Sequence, residues 1–166
     1  MNWPQRIICM TEETVETLYL LGEQDRIAGI SGFTVRPPQA RKEKPKVSAF
    51  TSAKIPKILG LKPDLVLGFS DLQADIAAEL IREGVEVYIL NHRDVEGILR
   101  MIRSLGRLVD AKQAADDLAS GYEKKIAQIK AITDTWEVKP RVYFEEWYKR
   151  YQSLILYGHS SNRLCS

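Results

Sequence analysis

Short apolar runs alternate with helical patterns along the first 110 residues, and this alternation constrains the fold more than any other feature. Because strands that alternate with helices over short links pair in parallel with right-handed crossovers, the sequence predicts an α/β fold. The expected architecture is a mainly parallel sheet flanked by helices. The predicted strands cover residues 6–10, 26–30, 65–69 and 85–90.

The helices are placed by their apolar spacing and by the residues at their ends. After the first strand, Thr11 stands at an N-cap position and Glu12 and Glu13 fall in the first turn, where the helix dipole favours acids. Gly22 stands where a helix-closing glycine belongs. Residues 32–45 are predicted as a polar connector. Further helices are predicted over residues 54–61, 71–83 and 95–109.

A longer apolar stripe runs over residues 111–133 and predicts a single helix of roughly 33 Å at 1.5 Å per residue. A final strand is predicted over residues 141–146, which either opens a second sheet or adds an edge to the first. The sequence thus predicts three parts. They are a first α/β lobe (1–110), a long connecting helix (111–134) and the start of a second α/β lobe (140–166).

Composition excludes several classes of protein. The 24 basic and 22 acidic residues give a net charge of +2, which is too balanced for a nucleic-acid partner. No segment approaches the ~20 apolar residues of a membrane helix. The N-terminal MNWPQR lacks the regions of a signal peptide, which predicts a cytoplasmic location if the sequence is complete. Cys9 lies in an apolar run and is expected to be a free, buried thiol.

Sequence signals of catalysis are absent. Neither His92 nor His159 has a Cys, His or carboxylate at ligand spacing, so no metal site is expected. The chain has no GxGxxG after its first strand and no Walker A sequence. No catalytic residue and no cofactor are therefore predicted, and the chain is not expected to be an enzyme.

Polar residues follow the first predicted strand, at the edge where parallel sheets bind ligands. Thr11, Glu12 and Glu13 combine the backbone donors of a helix N-terminus with two carboxylates, which is one arrangement for a binding site. Local physics alone favours the alternative, helix capping with dipole compensation.

Aromatic and acidic residues stand at the other strand ends. Phe33, Phe50 and Phe69 are typical of the walls of a pocket for a large planar ligand, although peripheral core packing would also explain them. The last strand ends in two acids and a tryptophan. They either belong to a site or face water from an edge strand. These three residues are Glu145, Glu146 and Trp147.

Two segments carry a resemblance to a known family. PQRIICMTEETVETLYLLGEQDRIAGIS resembles the opening of class III substrate-binding proteins of ABC importers, the cobalamin and iron-siderophore type. KVSAFTSAKIPKILGLKPDLVLGF is similar to the second signature of that family, a pocket turn followed by a short helix and LKPDLVL. The resemblance covers about residues 4–147.

The resemblance implies two α/β lobes joined by one rigid helix, with a ligand held between them. The implied ligand is a corrinoid (cobalamin), a ferric siderophore or heme, captured in the periplasm and delivered to a membrane permease without any bond being made or broken. Phe50 and Thr51 fall on the family's aromatic pocket turn, and Phe69 and Ser70 on its second pocket loop. The first cleft loop of the second lobe corresponds to Glu145, Glu146 and Trp147.

The family also docks on its permease through one acidic residue in each lobe. In this chain the matching first-lobe position is Ala74, and the nearest acids are Asp75 and Asp71. This departure from the family's pattern makes Asp75 and Asp71 the candidate docking residues, and a solvated helix position is the alternative for Asp75.

The composition changes at the end of the chain, because no acid follows Glu146 while Lys149, Arg150 and Arg163 are basic. The resemblance is expected to end at Trp147, and we expect a truncated, frameshifted or fragmentary second lobe with weakened ligand affinity. Two other functions stay open. One is a cytoplasmic α/β nucleotide-binding or enzyme subunit, and the other is a remnant that dimerises through the exposed long helix or the second-lobe segment.

Overall fold

The computed structural model describes residues 3–144 and 154–156. It contains a five-stranded sheet in the order β3-β2-β1-β4-β5, with every neighbouring pair parallel. The predicted α/β fold with a parallel sheet is thereby confirmed. The strands are β1 (Ile7–Cys9), β2 (Ile27–Ser31), β3 (Lys46–Ser48), β4 (Leu65–Phe69) and β5 (Val87–Leu90).

Helices follow the strands, as the alternating pattern predicts. Two 3-10 turns, Gln24–Arg26 and Asp71–Gln73, precede β2 and α4. The helices are α1 (Glu12–Leu20), α2 (Ala40–Glu43), α3 (Ile55–Gly60), α4 (Ala74–Arg82), α5 (Val95–Leu108) and α6 (Lys112–Asp134).

Three details of the first lobe were wrong in the sequence-based prediction. The polar connector contains α2 and leads straight into β3, and neither element was predicted because each is too short to show a period. The helix predicted over residues 71–83 begins instead as a 3-10 turn, which leaves Leu72 exposed. Gly22 closes its helix as predicted, with a φ of +78°, and Gly84 ends α4 in the same way, with a φ of +79°.

The core lies on both faces of the sheet. On one face, Ile8 of β1 and Met10, which follows the strand, belong to a buried cluster with Ile58 of α3 and Leu80 of α4. Because side chains alternate along a strand, Cys9 faces the opposite side. The thiol of Cys9 is free and buried, as predicted. Burial, with a smaller contribution from the charge of Glu13, raises its pKa to about 12 despite a hydrogen bond with Thr14 and the charge of Lys44.

The junction between α5 and α6 is a close approach of backbones. Asp110 has a φ of 63°, and the N–H of Ala111 donates to the carbonyl of Gly106 at 2.7 Å, which ends α5. A Cβ placed on Gly106 would lie 2.2 Å from the Cβ of Ala115 in α6. Asp116 lies 3.6 Å from Arg103 and 3.8 Å from Arg107 of α5. Glycine is therefore required at position 106 for α6 to start where it does.

The chain divides into two compact units, Met1–Ser120 and Gly121–Ser166. The second contains the rest of α6 and a two-stranded antiparallel sheet of β6 (Val142–Phe144) and β7 (Leu154–Leu156). The predicted final strand thus opens a second sheet. Ile126, Ile129 and Ile132 of α6 are exposed. Across the described ranges, none of the helices combines the length and the apolar character that a membrane crossing requires.

Candidate functional site

The sheet has a point at which the chain reverses its direction of travel. From β1 the chain proceeds outwards to β2 and β3, and it then returns to the other side of β1 to form β4 and β5. The connections that leave β1 and β4 therefore diverge to opposite sides, and doubly wound sheets form their ligand-binding crevice at the carboxyl ends of such strands. Thr11 follows β1 and Phe69 ends β4, so residues from two predicted groups flank this crevice.

Thr11 is buried in an extended conformation at the N-cap of α1. The capping alternative predicts that its hydroxyl accepts a hydrogen bond from a backbone N–H, but the hydroxyl makes no such bond. It donates instead to Oε1 of Glu13 at 2.7 Å. The carboxylate of Glu12 accepts from the N–H of Val35 at 2.8 Å and lies 3.2 Å from Nε of Arg36. Glu12 thus ties the loop after β2 to α1, while Glu13 stays beside Thr11.

Gln73 links three strand ends and was missed by the sequence analysis. Its side chain is completely buried. Nε2 donates to the carbonyl of Phe50 at 2.8 Å and, at 3.4 Å, to that of Met10, while Oε1 accepts from the N–H of Phe69 at 2.9 Å. The ends of β1 and β4 and the turn after β3 are therefore joined through one amide. The spacing of Gln73 from the buried Ile76 is the signal that could have revealed it, because a polar residue occupies an inward helical position.

The structure brings Phe50 and Phe69 together through Gln73 but does not bring Phe33 to them. Phe50 and Phe69 are both half-buried, whereas Thr51 is exposed. Phe33 follows β2, on the far side of β1 from β4, and its side chain is 62% exposed. Among the three aromatics predicted for the site, two therefore lie near the crevice and one lies at its margin.

Ser70 is buried in a strained turn. It has a φ of 57° with a ψ of 180°, a region that residues with a Cβ rarely adopt. Its N–H donates to the carbonyl of Leu90 at 2.7 Å, and its hydroxyl accepts from the N–H of Leu72 at 3.3 Å. These bonds hold the loop after β4 against the end of β5. Such strain is concentrated at ligand sites in proteins.

The end of β5 adds two residues that the sequence analysis did not assign to a ligand site. The ring of His92 lies 4.9 Å from that of Phe69, and the guanidinium of Arg93 lies 5.5 Å from the Phe69 centroid. Arg93 also lies 3.2 Å from Asp71. His92 has a half-buried side chain whose Nδ1 is buried without a hydrogen-bond partner among the residues that the structure describes. The edge of the crevice thus carries a cation, an aromatic ring and an imidazole.

Burial lowers the pKa of His92 below its ordinary value, and the charge of Arg93 lowers it further. Glu13 and Asp94 oppose this shift. We expect His92 to titrate at a lower pH in the folded chain than in the unfolded chain, as NMR of its ring protons would show. The Arg93→Gln variant should move the titration upwards. A folded-state midpoint at or above the unfolded one would contradict this account of the imidazole.

The remaining predicted site residues are two exposed acids and three residues that the structure does not describe. Asp71 and Asp75 are both exposed at the start of the segment that follows β4, as docking residues must be. Glu145, Glu146 and Trp147 lie outside the described residues. Within residues 3–144 and 154–156, no group of three or more His, Cys, Asp or Glu side chains is placed to hold a metal ion.

Comparison with protein families gives a match over almost the whole chain. The family described as periplasmic binding protein matches residues 7–163. The match continues past Trp147, where the resemblance had been expected to end.

The curated proteins that the chain matches are mostly named as cobalamin-binding or vitamin B12-binding proteins. The chain is 25% identical over 144 residues to the cobalamin-binding protein of Halobacterium salinarum, covering 85% of this chain and 39% of that protein. It is 26% identical over 141 residues to the vitamin B12-binding protein of Vibrio campbellii, covering 84% and 50%. The chain therefore spans half or less of the length of these relatives.

Solved structures share the fold at low identity. The periplasmic vitamin B12 binding protein of Vibrio cholerae matches with a TM-score of 0.72 at 22% identity, over 80% of this chain and 52% of that one. A periplasmic solute-binding protein of Staphylococcus epidermidis matches with 0.77 at 22%, over 89% and 58%. A periplasmic heme binding protein of Pseudomonas aeruginosa matches with 0.73 at 22%, over 84% and 52%.

Proposed function

Because this chain belongs to the periplasmic binding protein family, we propose that it is the substrate-binding component of an ABC importer. It captures a metal chelate, either a corrinoid or a ferric complex such as a siderophore or heme, and delivers it to a membrane permease. The relatives it matches are named as binding proteins, which supports capture without chemical change. This role places the chain outside the cytoplasm.

The crevice between β1 and β4 is the observation that carries the proposal. Phe50 and Phe69 offer apolar surface there, and the carboxylate of Glu13, which accepts a hydrogen bond from the buried Thr11, offers a polar group that can fix the orientation of a ligand. Ligand sites combine these features, with a largely apolar lining and a few placed polar groups. Gln73 holds the two aromatic residues in position from beneath. We therefore propose a large planar chelate as the ligand.

The same crevice disfavours the nucleotide-binding alternative. Nucleotide sites in doubly wound sheets place a phosphate against the N-terminus of the helix after the first strand. Here Glu12 and Glu13 occupy the first turn of that helix. Their carboxylates would repel a phosphate, so a nucleotide is a poor ligand for this chain.

The proposal retains the division into lobes made from the sequence. Residues 1–110 form the first lobe, residues 111–134 the connecting helix and residues 140–166 the start of the second lobe. Glu145, Glu146 and Trp147 remain proposed ligand-binding residues. Asp75 and Asp71, which are exposed beside the crevice, are the proposed contacts with the permease.

Absorbance titration tests the proposal. The purified chain is titrated with cyanocobalamin, a ferric hydroxamate siderophore and hemin, and we expect saturable binding of one of them. Since burying a Phe side chain is worth about 1.5–3 kcal/mol, the Phe69→Ala variant should bind at least ~10-fold more weakly. Tyr88→Ala, which changes an exposed aromatic residue of β5, is the matched control. Absence of saturable binding by all three chelates would overturn the proposal.

A further inference from the structure

Basic residues are concentrated in one segment of the first lobe. Residues 36–62 contain eight Lys and Arg and a single acid, Glu43, whereas the rest of the chain has a net charge of −5. This segment comprises α2, the edge strand β3 and α3, so it includes the edge of the sheet beyond β2 and the helix that leads from that edge over one face of the sheet. The near-neutral total charge of the chain conceals this separation.

The two arginines of the segment bind groups within the first lobe. Arg36 pairs with Glu12 and Glu16 of α1. Arg41 donates through Nη1 to the carbonyls of Gly32 and Thr34, at 3.0 and 2.7 Å. Both arginines therefore fasten the loop after β2, and the charge left for an external partner is carried by lysines.

Five lysines around β3, which we call the lysine edge, have no carboxylate partner within the described part of the chain. They gather at one place, because Nζ of Lys57 donates to the carbonyl of Lys46 at 2.7 Å and the N–H of Lys54 donates to that of Val47 at 3.0 Å. The one nearby acid, Glu43, accepts a hydrogen bond from Tyr19. The lysine edge consists of Lys42, Lys44, Lys46, Lys54 and Lys57.

We propose that the lysine edge binds the surface of a membrane that contains anionic phospholipids. A lysine ammonium is a hydrated point charge on a flexible stem, which suits a diffuse layer of headgroups better than a fixed carboxylate. Anionic surfaces attract such clusters, and each lysine near the surface contributes about fivefold in partitioning. Edge binding would hold the first lobe against the membrane while leaving the crevice between β1 and β4 free.

Vesicle co-sedimentation tests this inference independently of ligand binding. The chain is mixed with phosphatidylcholine vesicles that either contain or lack phosphatidylglycerol. We expect partitioning only into the anionic vesicles, and it should weaken as salt is raised because exposed charges are screened. Replacing Lys42, Lys46, Lys54 and Lys57 by glutamine should reduce partitioning more than ~100-fold.

The control variant carries the same change of charge elsewhere. It replaces four exposed lysines of α6 by glutamine and should partition nearly as the parent chain does. These lysines are Lys112, Lys124, Lys125 and Lys130. If the fourfold variant fails to fold, a second edge variant replaces only Lys42, Lys46 and Lys54. It retains Lys57 and therefore the bond from Lys57 to the carbonyl of Lys46. Equal losses of vesicle partitioning in the edge and control variants would overturn the inference. No partitioning of the parent chain would also overturn it, and would favour an acidic protein as the partner of the lysine edge.

Discussion

Replacing Gln73 by leucine is expected to lower the free energy of unfolding by about 2–4 kcal/mol, because it leaves the N–H of Phe69 and the carbonyl of Phe50 without their partner. Leucine has a similar size, so lost hydrogen bonds rather than a cavity would dominate. Urea denaturation of both proteins measures the difference. Gln113→Leu changes an exposed glutamine of α6 and should stay within about 0.5 kcal/mol of the parent chain.

The Gln73→Glu variant separates the hydrogen bonds from the shape of the side chain. A neutral carboxylic acid still has one donor and one acceptor, whereas the carboxylate would face the carbonyl oxygens of Phe50 and Met10. Burial and these oxygens should raise the folded-state pKa of Glu above its unfolded value of about 4.3. Stability should therefore be retained below the unfolded pKa and be lost as pH rises through the folded pKa. Parallel stability profiles for the variant and the parent chain would contradict this role of Gln73.

Substituting alanine for glycine should have opposite effects at two helical positions. At Gly106 the new Cβ would meet the Cβ of Ala115 at 2.2 Å and the carbonyl oxygen of Ala111 at 3.0 Å. Neither neighbour is the end of a flexible side chain, so α5 and α6 must shift, at a cost of about 2 kcal/mol. At Gly121 a Cβ would meet no atom of the described ranges within 4 Å, so alanine should stabilise α6 by about 0.5–1 kcal/mol.

Thermal and urea denaturation of both glycine variants provide the measurement. The pair is its own control, since the chemical change and the type of element are the same. Changes of the same sign in Gly106→Ala and Gly121→Ala would show that the tight junction between α5 and α6 is not what determines the effect.

The elements with strong local signals were predictable from the sequence. β1 and β4 are buried apolar runs, and the acids of α1 and the closing glycines mark where helices begin and end. β3 was not predictable in the same way, because Val47 is its one apolar residue and a three-residue strand shows no period. Its place is determined by its pairing with β2, which is a long-range contact.

The candidate site shows the same division between local and long-range information. Phe69 and Thr11 could be assigned to the crevice because strand ends can be located from sequence. Gln73 was missed, since Leu72 was taken as the inward residue and an apolar pattern does not detect a buried amide; only its three-residue spacing from Ile76 indicates an inward position. The exposure of Phe33 depends on the loop that Glu12 and Arg41 hold, and the contact of Glu12 with Val35 joins residues 23 positions apart in the chain.

The central claim is that a chelate binds at the carboxyl ends of β1 and β4, and amide chemical-shift mapping during titration with cyanocobalamin tests it most directly. We expect the largest changes at Thr11, Glu13, Phe69 and Ser70, with little change at the opposite end of the sheet around Asp64. A ferric siderophore would serve in the same way, through paramagnetic broadening of the same signals. Changes concentrated around Asp64, or no changes with either chelate, would contradict the claim.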